Sequence, residues 1–417
     1  MLNVMQRWRE PSDCCLRRTG SDTTAGRPAC RGDIMREVAV IGCGVTKFGH
    51  HWEKDHEDLL VEATYEAIAD ANVELKDVEA VWCGTFYPST GISGNVFSDT
   101  LKFFGKPISR VENYCATGMD NIRNAAFAVA SGAYDLVIAA GVEKLMDAGS
   151  RGLPPIEGIF SVAMPYVSAP AMFAMAANRA FKEWGWTRED LAMVAVKNHY
   201  NGARHPKAHF RSEVTVEKVL KAPMVAYPLG VYDCSAVSDG AAAVVLTRPE
   251  IAKEIVGDDY AVIKAVGMAV ETMHPWHRPS ESFLSFPATV KAAKMAYKMA
   301  GIENPRKELD FGIVHDCFTI TELINYQDMQ LCKPGEGAEL IRNGVTAIDG
   351  DFPINPDGGL KSFGHPIAAS GVRMVAELTK QVLGKAEGLQ VKDAEAGFAH
   401  NLGGPYSVAT VAIVSRP

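Results

Sequence analysis

Two rounds of one alternation run along this chain, short apolar stretches followed by helical stripes, and that pattern limits the folds open to it. In the first round Val38–Ile41, Ala80–Cys83 and Leu136–Ala140 read as strands. Between them Glu57–Asn72 places apolar residues at 59, 60, 63, 67 and 68, one face of a helix, and Gly118–Gly132 also reads as a helix. Ala241–Leu246 is a further buried strand. The second round starts near Asp259, with strands at Tyr260–Val266 and Phe311–Val314 and a helix at Pro287–Ala300. Helices at Thr319–Leu331 and Ile367–Leu383 follow, then strands at Phe398 and Ser407–Val414. Alternation of this kind predicts an α/β fold with a largely parallel central sheet. The duplication lies in the pattern and not in a short residue repeat, which excludes a solenoid.

Breaks in the pattern set the boundaries. Residues 1–34 carry six Arg, no Lys, three Cys and no sustained periodicity. They hold no apolar stretch long enough for a signal peptide, and Glu10, Asp13, Asp22 and Asp33 count against a transit peptide. The segment reads as a disordered tail or a misassigned start, with Met35 the true first residue. Residues 35–255 form the first half and 256–417 the second. The first half contains an irregular insertion at about 147–232, rich in Gly and Pro, with helical patterns near 170–184 and 187–203. Thr187 and Asp190 have the spacing of an N-terminal cap.

Four segments carry candidate chemistry. Cys115 sits at the entry to a helix, behind Asn113-Tyr114 and ahead of the small residues Ala116-Thr117-Gly118. Free N–H groups and the helix dipole at such a place lower a thiol pKa and offer donors to an oxyanion. The plainer reading is a buried core cysteine. His315-Asp316-Cys317-Phe318 follows an apolar strand, with His315 and Cys317 on one side if the chain stays extended. Too few ligands lie near it for a metal site. A glycine-rich loop presents His365 directly before Pro366, which suits a general base or an oxyanion donor. Ala399-His400-Asn401-Leu402-Gly403-Gly404-Pro405 reads as a turn between two strands, whose glycines allow close backbone approach to a substrate or form a plain hairpin.

Together, in this order, the segments resemble the thiolase superfamily and within it the sterol-carrier-protein-type thiolases, over about Met35 to Pro417. Asp233-Cys234-Ser235-Ala236-Val237-Ser238-Asp239-Gly240 is similar to the family's central segment. The resemblance implies a duplicated five-layer α/β/α/β/α fold with an inserted loop domain. It implies that Cys115 is the nucleophile that takes the acyl group from a CoA thioester, and that His365 activates it and helps hold the enolate oxygen. His315 would complete that oxyanion site, and the N–H groups of Cys115 and Gly403 would form a second. The best-known thiolases carry an acid/base cysteine where this chain has Asn401. In the sterol-carrier pattern that thiol comes from the His-Asp-Cys-Phe motif, hence Cys317. Ser235 is the implied pantetheine contact.

The implied activity is an acyl-CoA C-acyltransferase of lipid metabolism, condensing or thiolytic. Two thiols and two histidines supply a covalent acyl carrier, a base and donors for an enolate. No metal or redox cofactor is called for, and CoA enters with the substrate. A homodimer or tetramer is expected, with a zinc-ribbon/OB-fold partner protein as a further hypothesis, and with no lipid-transfer domain fused after Pro417. Two other readings are a retro-aldolase on the same fold, which Cys115 and Cys317 argue against, and a non-catalytic acyl-CoA-binding protein. A net charge of −8 argues against a nucleic-acid reader, and no apolar run is long enough for a membrane span. Nine scattered cysteines without a C-x-x-C pair suit a reducing cytoplasm.

Overall fold

The computed structural model describes residues 36–88, 91–148, 168–272 and 283–417. The expected N-terminal tail and the part of the insertion at 149–167 lie outside the described residues. Among the described residues nine strands form one sheet. They are β1 (Val38–Val45), β2 (Ala80–Gly84), β3 (Ile108–Arg110), β4 (Leu136–Glu143), β5 (Gly240–Thr247), β6 (Ala261–Val270), β7 (Phe311–Ile313), β8 (Ala396–Gly403) and β9 (Val408–Ser415). Their order is β3-β2-β4-β5-β1-β6-β9-β8-β7. The two halves join edge to edge where Val38–Val40 pair with Ala261–Ile263.

The sheet is mixed and not largely parallel. Among the described residues only β2–β3, β2–β4 and β7–β8 pair in parallel. After the insertion the chain re-enters as β5 running against both β1 and β4, and β8–β9 is a hairpin. An apolar run shows that a strand is buried; it carries no mark of direction. The hairpin also corrects the reading of 399–405 as a turn: residues up to Gly403 belong to β8, and the chain reverses after it.

The main helices are α1 (His56–Asp70), α2 (Thr117–Ser131), α3 (Ala169–Trp184), α4 (Arg188–Gly202), α5 (Pro287–Ala300), α6 (Thr319–Asp328), α7 (Gly359–Phe363) and α8 (Ile367–Val382). Helix α1 covers β1 and β5 on one outer side, and α5 covers β6 and β9 on the other. Helices α2 and α8 pack on each other between the two halves of the sheet, which makes five layers. Strand residues alternate between layers accordingly: Val38 and Val40 join one core cluster, Ala39 and Ile41 the other. Thr187 caps α4 through a reciprocal bond with Asp190, as its spacing predicts. No helix among the described residues is long and apolar enough to cross a membrane.

The crossing of α2 and α8 sets the site. A Cβ at Gly118 would lie 2.5 Å from the Ala368 carbonyl oxygen, so only glycine lets the two helix starts approach this closely. Cys115 lies just ahead of α2 and His365 just ahead of α8, so that approach brings them together.

Candidate active site

Cys115 enters α2 through a constrained turn. Tyr114 holds φ at 52°, a left-handed conformation that a bulky residue adopts only when its surroundings enforce it. The Asn113 N–H donates to Thr117 Oγ1 at 2.8 Å, and the Thr117 hydroxyl donates to the Tyr114 carbonyl at 2.6 Å. Asn113 Nδ2 donates to Asp120 Oδ2 at 2.6 Å. Gly403 closes over this turn: a Cβ there would stand 2.7 Å from Asn113 O and 3.2 Å from Cys115 N. The backbone N–H groups that act on the Cys115 sulfur are its own and that of Gly404, next to the expected Gly403.

The helix entry does not produce a free thiolate. Burial pushes the Cys115 thiol up to about 12, and the Glu143 carboxylate adds to the rise. The two N–H groups pull the other way and lose, because desolvating a sulfur anion costs more than two partial charges return. The expected lowering by the helix end is therefore overturned, and the thiol needs a base.

His365 is built to be that base. Its Nδ1 lies 2.8 Å from Ser370 Oγ, and the Ser370 hydroxyl donates its single proton to the Pro366 carbonyl at 2.8 Å. Ser370 must then accept from His365, which puts the imidazole proton on Nδ1 and leaves a lone pair on Nε2. Nε2 is buried and has no hydrogen-bond partner. Burial depresses this histidine to about 4, so it is neutral at pH 7.

His315 has the opposite tautomer. Asn401 Nδ2 donates to its Nδ1 at 3.1 Å, so Nδ1 accepts and the proton sits on Nε2. Burial first, then His365, hold its pKa well below the ordinary value. The two rings meet edge to face, with centroids 5.1 Å apart. Cys115 Sγ and one nitrogen of each ring all lie within 4.8 Å of one another. One neutral ring thus offers a lone pair and the other an N–H, beside one sulfur. Sulfur and two nitrogens at this spacing could also hold a metal ion.

Cys317 lies in the same neighbourhood. Burial raises its thiol well above the ordinary range, and the next contribution is Cys115 itself. Its sulfur is 3.9 Å from Thr321 Oγ1, and its carbonyl accepts from the Ser235 N–H at 2.8 Å. Ser235 is partly exposed and bonded to the Cys317 segment, so the central segment forms a wall of the site. Between His315 and Cys317, Asp316 faces elsewhere: it accepts from the N–H groups of Leu360 at 2.6 Å and Lys361 at 3.1 Å, and from Asn198 Nδ2 at 2.7 Å. That carboxylate ties the His-Asp-Cys segment to α7 and so sets His315 against His365.

The family described as "Thiolase, N-terminal domain" matches residues 38–250, and "Thiolase C-terminal domain-like" matches residues 269–416. The chain belongs to the thiolase family. It is 41% identical to the acetyl-CoA acetyltransferase of Methanothermobacter thermautotrophicus, over 92% of this chain and all of that protein. It is 30% identical to sterol carrier protein 2 of Homo sapiens, over 88% of this chain and 70% of that protein. Among solved structures it resembles the Ltp2-ChsH2(DUF35) aldolase, with a TM-score of 0.81, 26% identity, and coverage of 92% of this chain and 99% of that one.

Within this thiolase fold the residues singled out in the sequence, Cys115, His315, Cys317, His365 and Gly403, converge from both halves, with Ser235 beside them. Sequence reasoning missed Ser370, Glu143 and Asn325 and saw no task for Asn401 or Asp316. Glu143 ends β4 and collects N–H groups from Phe86 at 3.1 Å, Tyr87 at 2.8 Å and Ala368 at 3.1 Å. Burial lifts its carboxyl to about 7. A lone Glu closing an apolar strand was the only signal available. Asn325 Nδ2 donates to the His315 carbonyl at 2.8 Å from α6, a contact that no local pattern reveals.

Proposed function

We propose that this chain is an acyl-CoA C-acyltransferase that works through a Cys115 acyl-enzyme and makes or cleaves 3-oxoacyl-CoA. The observation that carries this reading is the cluster of one sulfur and two oppositely tautomerised imidazoles within 4.8 Å. His365 Nε2 takes the thiol proton as Cys115 attacks the thioester carbonyl, and the imidazolium returns it to the departing CoA sulfur. In this reading the N–H groups of Cys115 and Gly404, which act on the Cys115 sulfur before acylation, take the oxyanion of that step. After CoA leaves, a second acyl-CoA enters. Cys317 first gives its own proton to His365 Nε2 and then, as a thiolate, takes the α-proton. The enolate oxygen rests on His315 Nε2–H and on the Nε2–H that His365 has gained, which goes to the Cys115 sulfur as that sulfur leaves. The enolate carbon attacks the acyl-enzyme, a C–C bond forms and the Cys115 thiol is released. Positioned donors of this kind typically contribute about 10²–10³ in rate, and an acid/base group about 10²–10⁴.

CoA serves as substrate, and the chemistry asks for no metal or redox group. A cytoplasmic homodimer or tetramer is part of the proposal, and a 45 kDa species by light scattering would contradict it. The likeness to an aldolase whose name carries a second, DUF35 component supports a partner protein, for which the zinc-ribbon/OB-fold kind is the candidate, and keeps a retro-aldolase as the second reading. The test is intact-protein mass after mixing with acetyl-CoA and longer acyl-CoAs. An acyl adduct on the wild type, absent in Cys115→Ala, supports the acyltransferase. Cleavage of a 3-hydroxyacyl-CoA without any adduct would replace it with the lyase.

A further inference from the structure

We propose that Cys115, His315 and His365 form a reversible inhibitory site for a borderline-soft divalent cation of the Zn2+ class, which competes with acylation. The inference rests on the family reading for what is inhibited, and on geometry alone for the binding.

The donor set selects the cation. One thiolate and two imidazole nitrogens suit Zn2+ and its first-row neighbours, whereas Mg2+ and Ca2+ want oxygen. The three donor atoms already lie within 4.8 Å of one another. Zn–S near 2.3 Å and Zn–N near 2.0–2.1 Å in a tetrahedron put donors roughly 3.5 Å apart, so closure asks for about an ångström of side-chain movement. Three protein ligands leave a fourth position open, as in sites where a metal meets a small molecule.

A second observation points to a ligand independently. His365 is 4% exposed, its Nε2 has no hydrogen-bond partner, and its Nδ1 is fixed as a donor by Ser370. A buried ring nitrogen left with a free lone pair, its partner nitrogen fixed as a donor by a hydrogen bond, is the usual form of a ligating histidine.

His315 needs one adjustment, and the structure contains the means for it. With Asn401 donating to its Nδ1, His315 carries a proton on Nε2 and cannot ligate through it. The Asn401 Oδ1 is buried and without a partner. Rotating that amide by half a turn brings Oδ1 to Nδ1, moves the proton there and frees Nε2. Asn401 is therefore a positioning residue with two settings: as donor it readies His315 to hold an oxyanion, and as acceptor it readies His315 to bind a cation.

Binding is Cys115–SH plus Zn2+ giving the zinc thiolate and one proton released to solvent. No electron changes hands. An acylated Cys115 has no thiol to lose a proton, so acyl-enzyme and metal exclude each other.

The test titrates Co2+ into the full-length protein, without substrate, and reads the sulfur-to-cobalt charge-transfer band. A band of one equivalent, displaced by Zn2+ and lost in Cys115→Ala, is expected. His365→Ala should weaken Co2+ roughly tenfold or more, at least the cost of disturbing a ligand's support. Cys332→Ala, a thiol outside the site, should leave the band unchanged. Because Cys115→Ala could disturb packing, wild type alkylated at Cys115 is run beside it and should also lose the band. Zn2+ at matching concentration should stop turnover, and a chelator should restore it. An equal band in the alkylated protein, or full turnover with the band saturated, overturns the proposal. Failure of the acyltransferase reading would show separately, as a missing acyl adduct on metal-free protein that still gives the band.

Discussion

Replacing Ser370 with Ala should slow acylation of Cys115 without weakening binding of acyl-CoA. Ser370 touches neither sulfur nor substrate in the proposed mechanism; it fixes the proton of His365 on Nδ1 through a 2.8 Å bond, because its own proton is committed to Pro366 O. Without it the buried Nδ1–H has no acceptor, a cost of about 1–3 kcal/mol. The other tautomer, with Nε2 protonated and Nδ1 bare, then loses its penalty, and a protonated Nε2 cannot take the thiol proton. At 1.36 kcal/mol per factor of ten, the acylation rate should fall roughly 5–150-fold. The assay is rapid quench followed by intact mass, scoring adduct against time at several acyl-CoA concentrations. The maximal rate should fall while the half-saturating concentration holds, and Ser370→Thr, which keeps the hydroxyl, should restore it. A wild-type acylation rate in Ser370→Ala would refute the tautomer argument, and so would a defect confined to binding.

Four further outcomes are expected. Cys115→Ala should abolish both adduct and turnover, whereas Cys317→Ala should still form the adduct and lose about 10²–10⁴ in condensation; a wild-type condensation rate in Cys317→Ala would move the α-proton to another group. The acid limb of acylation should lie near His365's depressed value of about 4, with no inflection at the ordinary histidine value of 6.5. Because the folded-state pKa values of His365 and His315 lie below their unfolded ones, the stability they contribute is present above about pH 6.5 and is lost as pH falls toward 4; the stability difference between wild type and His365→Gln should therefore shrink from pH 7 to 4.5 in chemical denaturation, a comparison that cancels the opposite trend of Glu143, whose carboxyl is lifted to about 7. Gly118→Ala should destabilise the fold by about 1–3 kcal/mol or more, read as a lower thermal midpoint, since its Cβ meets backbone of α8 and not a movable side chain.

By itself the sequence determined that the chain makes buried strands and covering helices twice over, and which side chains could react. Val38–Ile41, Leu136–Ala140 and Ala241–Leu246 read as buried strands, because each is an apolar run with no polar face and too short for a helix. Cys115 and His365 stood out because each is a reactive side chain at the junction of two elements with small residues beside it, and His315 and Cys317 because their His-Asp-Cys-Phe motif resembles that of the sterol-carrier-type thiolases. Tertiary structure decided the rest. Strand direction depended on where the chain re-enters after the insertion, so β5 came out antiparallel to both neighbours. The thiol's protonation was decided by burial and by the Glu143 carboxylate, both supplied by residues far off in sequence, against a helix end that sequence alone could see. The two tautomers were decided by Ser370 and Asn401, whose hydroxyl and amide mean nothing until a fold places each within 3.1 Å of an imidazole nitrogen. Local pattern records burial and reactivity because these are properties of a side chain and its neighbours. Direction, charge state and proton position are properties of contacts between segments, and only the packed fold creates them.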